Sequence, residues 1–290
     1  MSSNPRLAVA LALVALVCGG VADLIYKRGA REGLPAHRFL MVQTWTFGPA
    51  VVLYGLLSQT LVFTPAALWG CLAGVFAFTG FYNFAKSLRA GLVSINAPIF
   101  RLSFVVTVVL AIVFLGERVT SWKVAGIAFA LLAVWLLVRG MPAANSHRDG
   151  RAVVISLVRV GIATPAIGVA NFIYKIGLAA GATSSSLLTA QACVVGALAL
   201  GLVVLVDGEV RVPSGAWSHA GAAGVVLSLA FIGLTEALAR GEASIVAPIA
   251  QMGFVVTAFL GVALMDEPLG RRTTVGLLAG AGAILLLAHG

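Results

Sequence analysis

Long apolar runs separated by short polar gaps extend along almost the whole chain. A helix that spans a bilayer needs about 20 apolar residues, because each residue adds about 1.5 Å along the helix axis. The pattern predicts an all-α integral membrane protein with ten transmembrane helices, the first of them retained rather than cleaved as a signal peptide. The runs cover residues 7–26, 39–57, 65–84, 92–115, 122–138, 152–176, 185–206, 214–239, 243–265 and 274–288.

The longest polar gap, at 139–151, divides the chain almost in half and prompts a search for an internal repeat. We expect a first repeat over 1–139, a linker over 140–151 and a second repeat over 152–290. Sliding the first half by 148 to 150 residues superposes uncommon residue types in the same order, which indicates a duplication. The matched pairs include Tyr26 with Tyr174, Gln43 with Gln191, Trp69 with Trp217, Pro98 with Pro248 and Glu117 with Glu267.

Each half contains five predicted spans, an odd number, so the second half enters the membrane from the opposite side. The repeats are therefore predicted to be inverted, with a pseudo-two-fold axis in the membrane plane. Inverted repeats are common in secondary transporters, which bind substrate near the bilayer midplane between the repeats and alternate access around it. The repeat pattern thus favours a transporter.

Composition excludes a soluble protein, since hydrophobic residues make up 60%, charged residues make up 10% and the mean hydropathy is +1.05. The net charge of +9 comes from basic residues in the gaps between apolar runs. We expect them to bind lipid headgroups rather than nucleic acid. The sequence has no glycine-rich phosphate loop, catalytic triad or metal-type spacing of histidines and cysteines, so we expect no enzymatic activity, no cofactor and no metal.

Three short motifs, each in two copies, resemble a known family. They are Tyr26-Lys27 with Tyr174-Lys175, Pro98 with Pro248, and the turn Gly116-Glu117-Arg118 with Asp266-Glu267-Pro268. Over its whole length the chain resembles the EamA-type exporters of the drug/metabolite transporter superfamily, among them exporters of amino acids and aromatic amino acids. The resemblance implies a basket of ten helices that moves small polar or amphipathic metabolites out of the cytoplasm.

Arg101 lies within the fourth predicted span, where a charged side chain needs a partner, a water-filled cavity or a function. Its counterpart in the second repeat is Gln251. Helical spacing places Arg101 on one face with Pro98, and Gln251 on one face with Pro248. We expect the two faces to meet across the pseudo-two-fold axis, where Arg101 either binds a substrate carboxylate or phosphate or forms a structural ion pair.

Two acidic residues, Asp23 and Glu236, also lie within predicted spans. Either is a possible structural partner of Arg101, and both are candidates for proton coupling. Asp23 shares a helix face with Tyr26. The sixth span repeats this spacing, with Asn171 in place of the aspartate.

The residues that follow at helical spacing in the sixth span are Tyr174 and Lys175. The tyrosines of both copies either line the cavity or anchor the helices at the membrane interface. For the lysines we favour anchoring, with the ammonium group extending to the lipid headgroups.

Pro98 and Pro248 lack a backbone donor and are expected to disturb the helix one turn earlier. They are either kinks that bend during gating or plain packing prolines. Asn96, beside Pro98, is a candidate partner for the freed backbone or for substrate.

Two further pairs concern helix contacts. Gln43 and Gln191 either line the cavity or join helices by hydrogen bonds. Small residues four apart, such as Gly70 and Gly74, are typical of closely packed membrane helices.

The sequence thus predicts a cavity that binds a small zwitterionic or anionic metabolite, with amino acids as the best class. A membrane-embedded enzyme acting on a lipid carrier and a non-transporting structural subunit are the alternatives. We expect a monomer in the cytoplasmic (inner) membrane; the resemblance implies cytoplasmic termini, whereas the count of Lys and Arg in the loops favours the opposite orientation. The predicted cavity residues are Arg101, Asn96, Gln43, Gln191, Gln251, Tyr26, Tyr82, Phe100, Tyr174 and Asn171.

Overall fold

All regular structure in the described part of the chain is helical in this computed structural model, which describes residues 4–90, 93–140, 150–212, 215–256 and 270–289. Short 3-10 and π-helical turns, Pro65–Ala67 and Trp217–Gly221, precede the third and ninth helices. The helices are α1 Pro5–Arg31, α2 Ala36–Leu57, α3 Leu68–Ala90, α4 Val93–Arg101, α5 Ser103–Leu115, α6 Ser121–Gly140, α7 Gly150–Ala179, α8 Ser184–Asp207, α9 Ala222–Arg240, α10 Ala243–Gln251 and α11 Arg271–His289.

Seven segments of the described chain are long and apolar enough to cross a membrane, and three shorter apolar helices accompany them. The all-helical membrane prediction is confirmed at this level, while the count of ten spans stays a prediction. Most of the expected linker, 141–149, lies outside the described residues, as does the Asp266-Glu267-Pro268 turn.

The packing of the helices follows the repeat. A shift of 148 to 150 residues carries α1 onto α7 and α3 onto α9. In the structure α1 packs against α9 and α3 packs against α7, so these two contacts are images of each other. The equivalent helices α2 and α8 pack against one another, as do α6 and α11. This exchange of partners is what a two-fold relationship between the repeats requires.

Glycines allow α3 to approach α8 closely. A Cβ atom on Gly70 would lie 2.2 Å from the carbonyl oxygen of Leu187, and one on Gly74 would lie 2.9 Å from the Val194 side chain. The close contact expected from this glycine spacing is therefore confirmed.

Two helices break at matching positions, immediately after Arg101 and Gln251. The amide of Leu102 donates to the carbonyl of Ile99 at 3.0 Å, and the amide of Met252 donates to that of Ile249 at 3.1 Å, as in a 3-10 turn. Helix α5 follows the first break, and residues 253–256 are helical after the second.

The prolines Pro98 and Pro248 lie inside α4 and α10, one turn before these breaks. We expected the disturbance one turn before each proline. It would fall on the first turn of α4 or α10, where the helix has only just begun and few helical hydrogen bonds exist to be lost. The interruption that the structure shows comes after each proline, next to the cavity residues.

Candidate functional site

A cavity lies between α1, α3, α4, α7, α9 and α10, and the helix breaks border it. The cavity is small, with a volume of about 50 Å³. Its described polar lining is Asp23, Tyr26, Arg101, Asn171 and Gln251. These residues come from both repeats, so the cavity is shared between them.

Arg101 is the centre of this polar lining and is only 8% exposed. One terminal nitrogen donates to Asp23 Oδ1 at 2.5 Å and to the carbonyl of Gly19 at 3.3 Å. The other terminal nitrogen donates to Gln251 Oε1 at 3.0 Å. The expected meeting of Arg101 with its counterpart is thus observed, and the buried ion pair with Asp23 is present in the same place.

Three polar atoms of the cavity residues have no hydrogen-bond partner within the described ranges. They are Asp23 Oδ2, Arg101 Nε and Asn171 Nδ2. Leaving such groups buried and unpaired is unfavourable, so they mark positions for water or ligand atoms. Two of the three are donors and one is an anionic acceptor.

Aromatic rings form the apolar wall. Phe84 stacks on Phe100 with ring centroids 4.1 Å apart, and Phe81 lies 5.9 Å from Phe231. Tyr26 completes the wall, 6.2 Å from Phe84. Phe81, Phe84 and Phe231 were not predicted; a spacing of three residues on α3 is a sequence signal for the first two, whereas nothing in the sequence singled out Phe231.

A tyrosine–glutamine hydrogen bond occurs in both repeats. Tyr26 donates to Gln43, and Tyr174 donates to Gln191 Oε1 at 2.6 Å. Each bond joins the first two helices of its repeat. Of the two roles considered for the glutamines, the structure therefore shows the one in which they join helices. Of the four residues, Tyr26 lines the cavity, whereas Gln43, Tyr174 and Gln191 are not part of its described lining.

Other predicted site residues have partners elsewhere. Asn96 donates to the Ser87 carbonyl and to Ser156 Oγ, at 3.0 and 2.7 Å. Tyr82 stacks on Phe78, with the Lys86 ammonium 4.9 Å from its ring centroid. The structure does not bring these residues to the cavity lining.

Glu236 also lies away from the cavity lining. It accepts a hydrogen bond from Tyr54 at 3.1 Å and forms an ion pair with Arg240. The acidic partner of Arg101 is therefore Asp23 and not Glu236.

At one end of the bundle, side chains from three other elements hold the junction between α9 and α10. Glu117 accepts from the amides of Ala243 and Ser244, at 2.7 and 2.8 Å, and so caps the start of α10. Lys175 donates to the carbonyls of Leu238 and Gly241, both at 2.7 Å.

The third contact at this junction is the ion pair of Lys123 with Glu242. We call the contacts of Glu117, Lys123 and Lys175 the α9–α10 clasp. Lys175, the clasp residue on α7, caps carbonyl groups at the end of α9, because these groups lie within its reach. The sequence had suggested that this lysine anchors its helix at the membrane interface.

No cluster of metal-binding side chains occurs in the ranges that the structure describes. The cavity instead offers one ion pair, amide groups and aromatic rings. Such a set is suited to binding and orienting a small polar molecule.

Comparisons with known proteins identify the family. No curated protein matches the chain. One solved crystal structure superposes with a TM-score of 0.78 at 15% sequence identity, covering 96% of this chain and 95% of the other, and at that identity the likeness concerns the fold. The model of the EamA-like transporter family, whose members are transporters, matches residues 6–139 and again 155–288. The chain is a multi-pass membrane protein that belongs to the EamA-like transporter family.

Proposed function

We propose that the protein is a secondary transporter that exports a small polar or amphipathic metabolite by alternating access, with amino acids as the best class. The observation that carries this proposal is the buried Arg101–Asp23 pair, which faces a cavity shared by the repeats. Two polar atoms of the pair are unpaired, and so is the side-chain nitrogen of Asn171 beside it. A purely structural ion pair would be expected to have its remaining polar atoms satisfied.

The helix breaks support the proposal. Transporters with inverted repeats bind substrate where membrane helices are discontinuous, near the middle of the bilayer. Here the breaks directly follow Arg101 and Gln251, the two residues that meet in the cavity. We propose ten spans in two inverted sets of five, with the breaks near mid-depth.

The small size of the cavity supports alternating access. The cavity has a volume of only about 50 Å³, so binding of a metabolite requires the surrounding helices to move apart. The α9–α10 clasp joins the two repeats at one end, since Glu117 and Ala243 come from different halves of the chain. We propose that this end opens when the clasp separates, with bending near Pro98 and Pro248, and that Asp23 or Glu236 carries a coupling proton.

The remaining parts of the proposal concern location. We propose a monomer in the cytoplasmic membrane with both termini in the cytoplasm, in contact with lipids and without nucleic acid. Labelling of a cysteine placed before α1 with a membrane-impermeant reagent, in intact and in permeabilised cells, decides the orientation.

Counterflow in proteoliposomes tests the function. Purified protein is reconstituted with an unlabelled amino-acid mixture inside, and uptake of single radiolabelled amino acids is measured against protein-free vesicles. Accumulation that depends on the internal pool is the expected result. Inert vesicles with every metabolite tried would favour a structural subunit, and conversion of a lipid would favour a membrane-embedded enzyme.

A further inference from the structure

The cavity carries its charges on one repeat alone. Asp23 and Arg101 belong to the first repeat, and their counterparts in the second are the amides Asn171 and Gln251, at shifts of 148 and 150 residues. All four side chains line the same cavity. The described lining therefore holds one positive and one negative charge, with a net charge of zero.

We propose that Asn171 determines the charge class of the substrate, so that the cavity selects molecules with one carboxylate, one ammonium and no net charge. This inference rests on the proposed transport function. Asn171 Nδ2 and Arg101 Nε donate to the substrate carboxylate, and Asp23 Oδ2 accepts from the substrate ammonium.

The unpaired atoms carry the argument for these roles. Each terminal nitrogen of Arg101 has at least one acceptor, among Asp23, Gln251 and a backbone carbonyl, whereas its Nε has none within the described ranges. Asn171 is 1% exposed and adds a second such donor. Two donors suit the two oxygens of a carboxylate, while the free oxygen of Asp23 suits a cation.

Charge balance explains the selection. A buried charge without a partner is strongly unfavourable. Because Asp23 and Arg101 already compensate each other, a zwitterion adds no uncompensated charge, whereas a cationic or anionic molecule adds one. A substitution of Asn171 can change this charge balance with little change in packing. Its amide nitrogen has no described partner, and aspartate has nearly the same shape as asparagine.

The test compares three substrate classes in the same proteoliposomes: a neutral amino acid, lysine and glutamate. Wild-type protein should prefer the neutral substrate. Asn171→Asp makes the cavity net negative and should raise the ratio of lysine to neutral uptake at least tenfold. Asp23→Asn makes it net positive and should raise the ratio of glutamate to neutral uptake.

Asn83→Asp is the matched control. Asn83 lies on α3 outside the cavity lining and already accepts from Arg159 at 3.0 Å, so the same substitution there adds a charge beside a cation. Its substrate preference should equal that of the wild type.

Each outcome decides a separate question. A wild-type protein inert towards all three classes contradicts the transport function itself. An active wild type with an unchanged preference in Asn171→Asp contradicts the charge-selection role alone. If Asn171→Asp does not fold, Gln251→Glu decides, because it adds a negative charge to the same lining and keeps the oxygen that accepts from Arg101. A gain in relative lysine uptake then supports the role of charge balance, and an unchanged ratio overturns it.

Discussion

Arg101 and Gln251, which occupy equivalent positions in the two repeats, are joined by a hydrogen bond of 3.0 Å. Residues related by a two-fold axis approach each other only where they lie near that axis. The contact therefore lies near the axis that relates the repeats, and so does the cavity that both residues line.

Arg101→Ala should abolish or strongly reduce uptake of an amino-acid substrate. It removes the proposed carboxylate donor and leaves Asp23 buried without a counter-charge, and removing one member of a buried pair costs about 3–5 kcal/mol. Counterflow measures the first effect, and the melting temperature in detergent measures the second.

The double variant Asp23→Asn/Arg101→Gln separates the two effects, because it removes both charges and keeps polar groups of similar size. Its melting temperature should exceed that of Arg101→Ala while uptake stays low. Full uptake by Arg101→Ala would assign Arg101 a structural role only.

Tyr26→Phe and Tyr174→Phe should lower the melting temperature by similar amounts. Each leaves a buried glutamine oxygen without its donor, which costs about 1–3 kcal/mol. Tyr82→Phe is the control, because the Tyr82 hydroxyl makes no hydrogen bond to the described chain while its ring remains stacked. A control variant as unstable as the other two would show that the hydroxyl bonds are not the cause.

Gly70→Ala should destabilise the protein by about 1–3 kcal/mol, because the new methyl group meets a backbone carbonyl that cannot rotate away. Gly201→Ala in α8 has nothing within 4 Å of the added Cβ and should be neutral or slightly stabilising. Melting curves of the two variants side by side give the comparison. Equal melting temperatures would mean that α3 and α8 are less closely packed than described.

Glu117→Ala should loosen the α9–α10 clasp by removing the cap of α10, an interaction type worth about 0.5–2 kcal/mol. In a background without native cysteines, a maleimide should then label Ser244→Cys about five- to thirtyfold faster, since one or two kcal/mol changes a population by that factor.

Val119→Cys provides the matching reference for that measurement, because Val119 is already 57% exposed in the turn after Glu117. Its labelling rate should not respond to Glu117→Ala. A faster rate at both cysteines would indicate general unfolding, and no change at Ser244→Cys would show that Glu117 does not hold the junction.

Sequence periodicity and the repeat were sufficient to predict that Arg101 and Gln251 face each other, because helical spacing fixes which side chains share a face. They could not decide whether Gln43 and Gln191 join helices or line the cavity. That choice depends on the rotation of α2 and α8 about their axes, which tertiary packing determines.

The contacts of Lys175 and Phe231 were beyond sequence reasoning for a related reason. Lys175 reaches carbonyls more than sixty residues away in the chain, and Phe231 enters the cavity from an apolar run of α9. Where nearly every residue is apolar, hydrophobic periodicity carries little information about orientation.

The helix interruptions at Leu102 and Met252 are each one residue long. Backbone hydrogen bonds bridge each interruption, from Leu102 to Ile99 and from Met252 to Ile249, so these peptide groups keep partners inside the protein, as a hydrocarbon environment requires. Under the proposed transport function, a change of helix direction at either interruption would displace Arg101 or Gln251 directly, so the conformational change would act first on the residues proposed to bind the substrate.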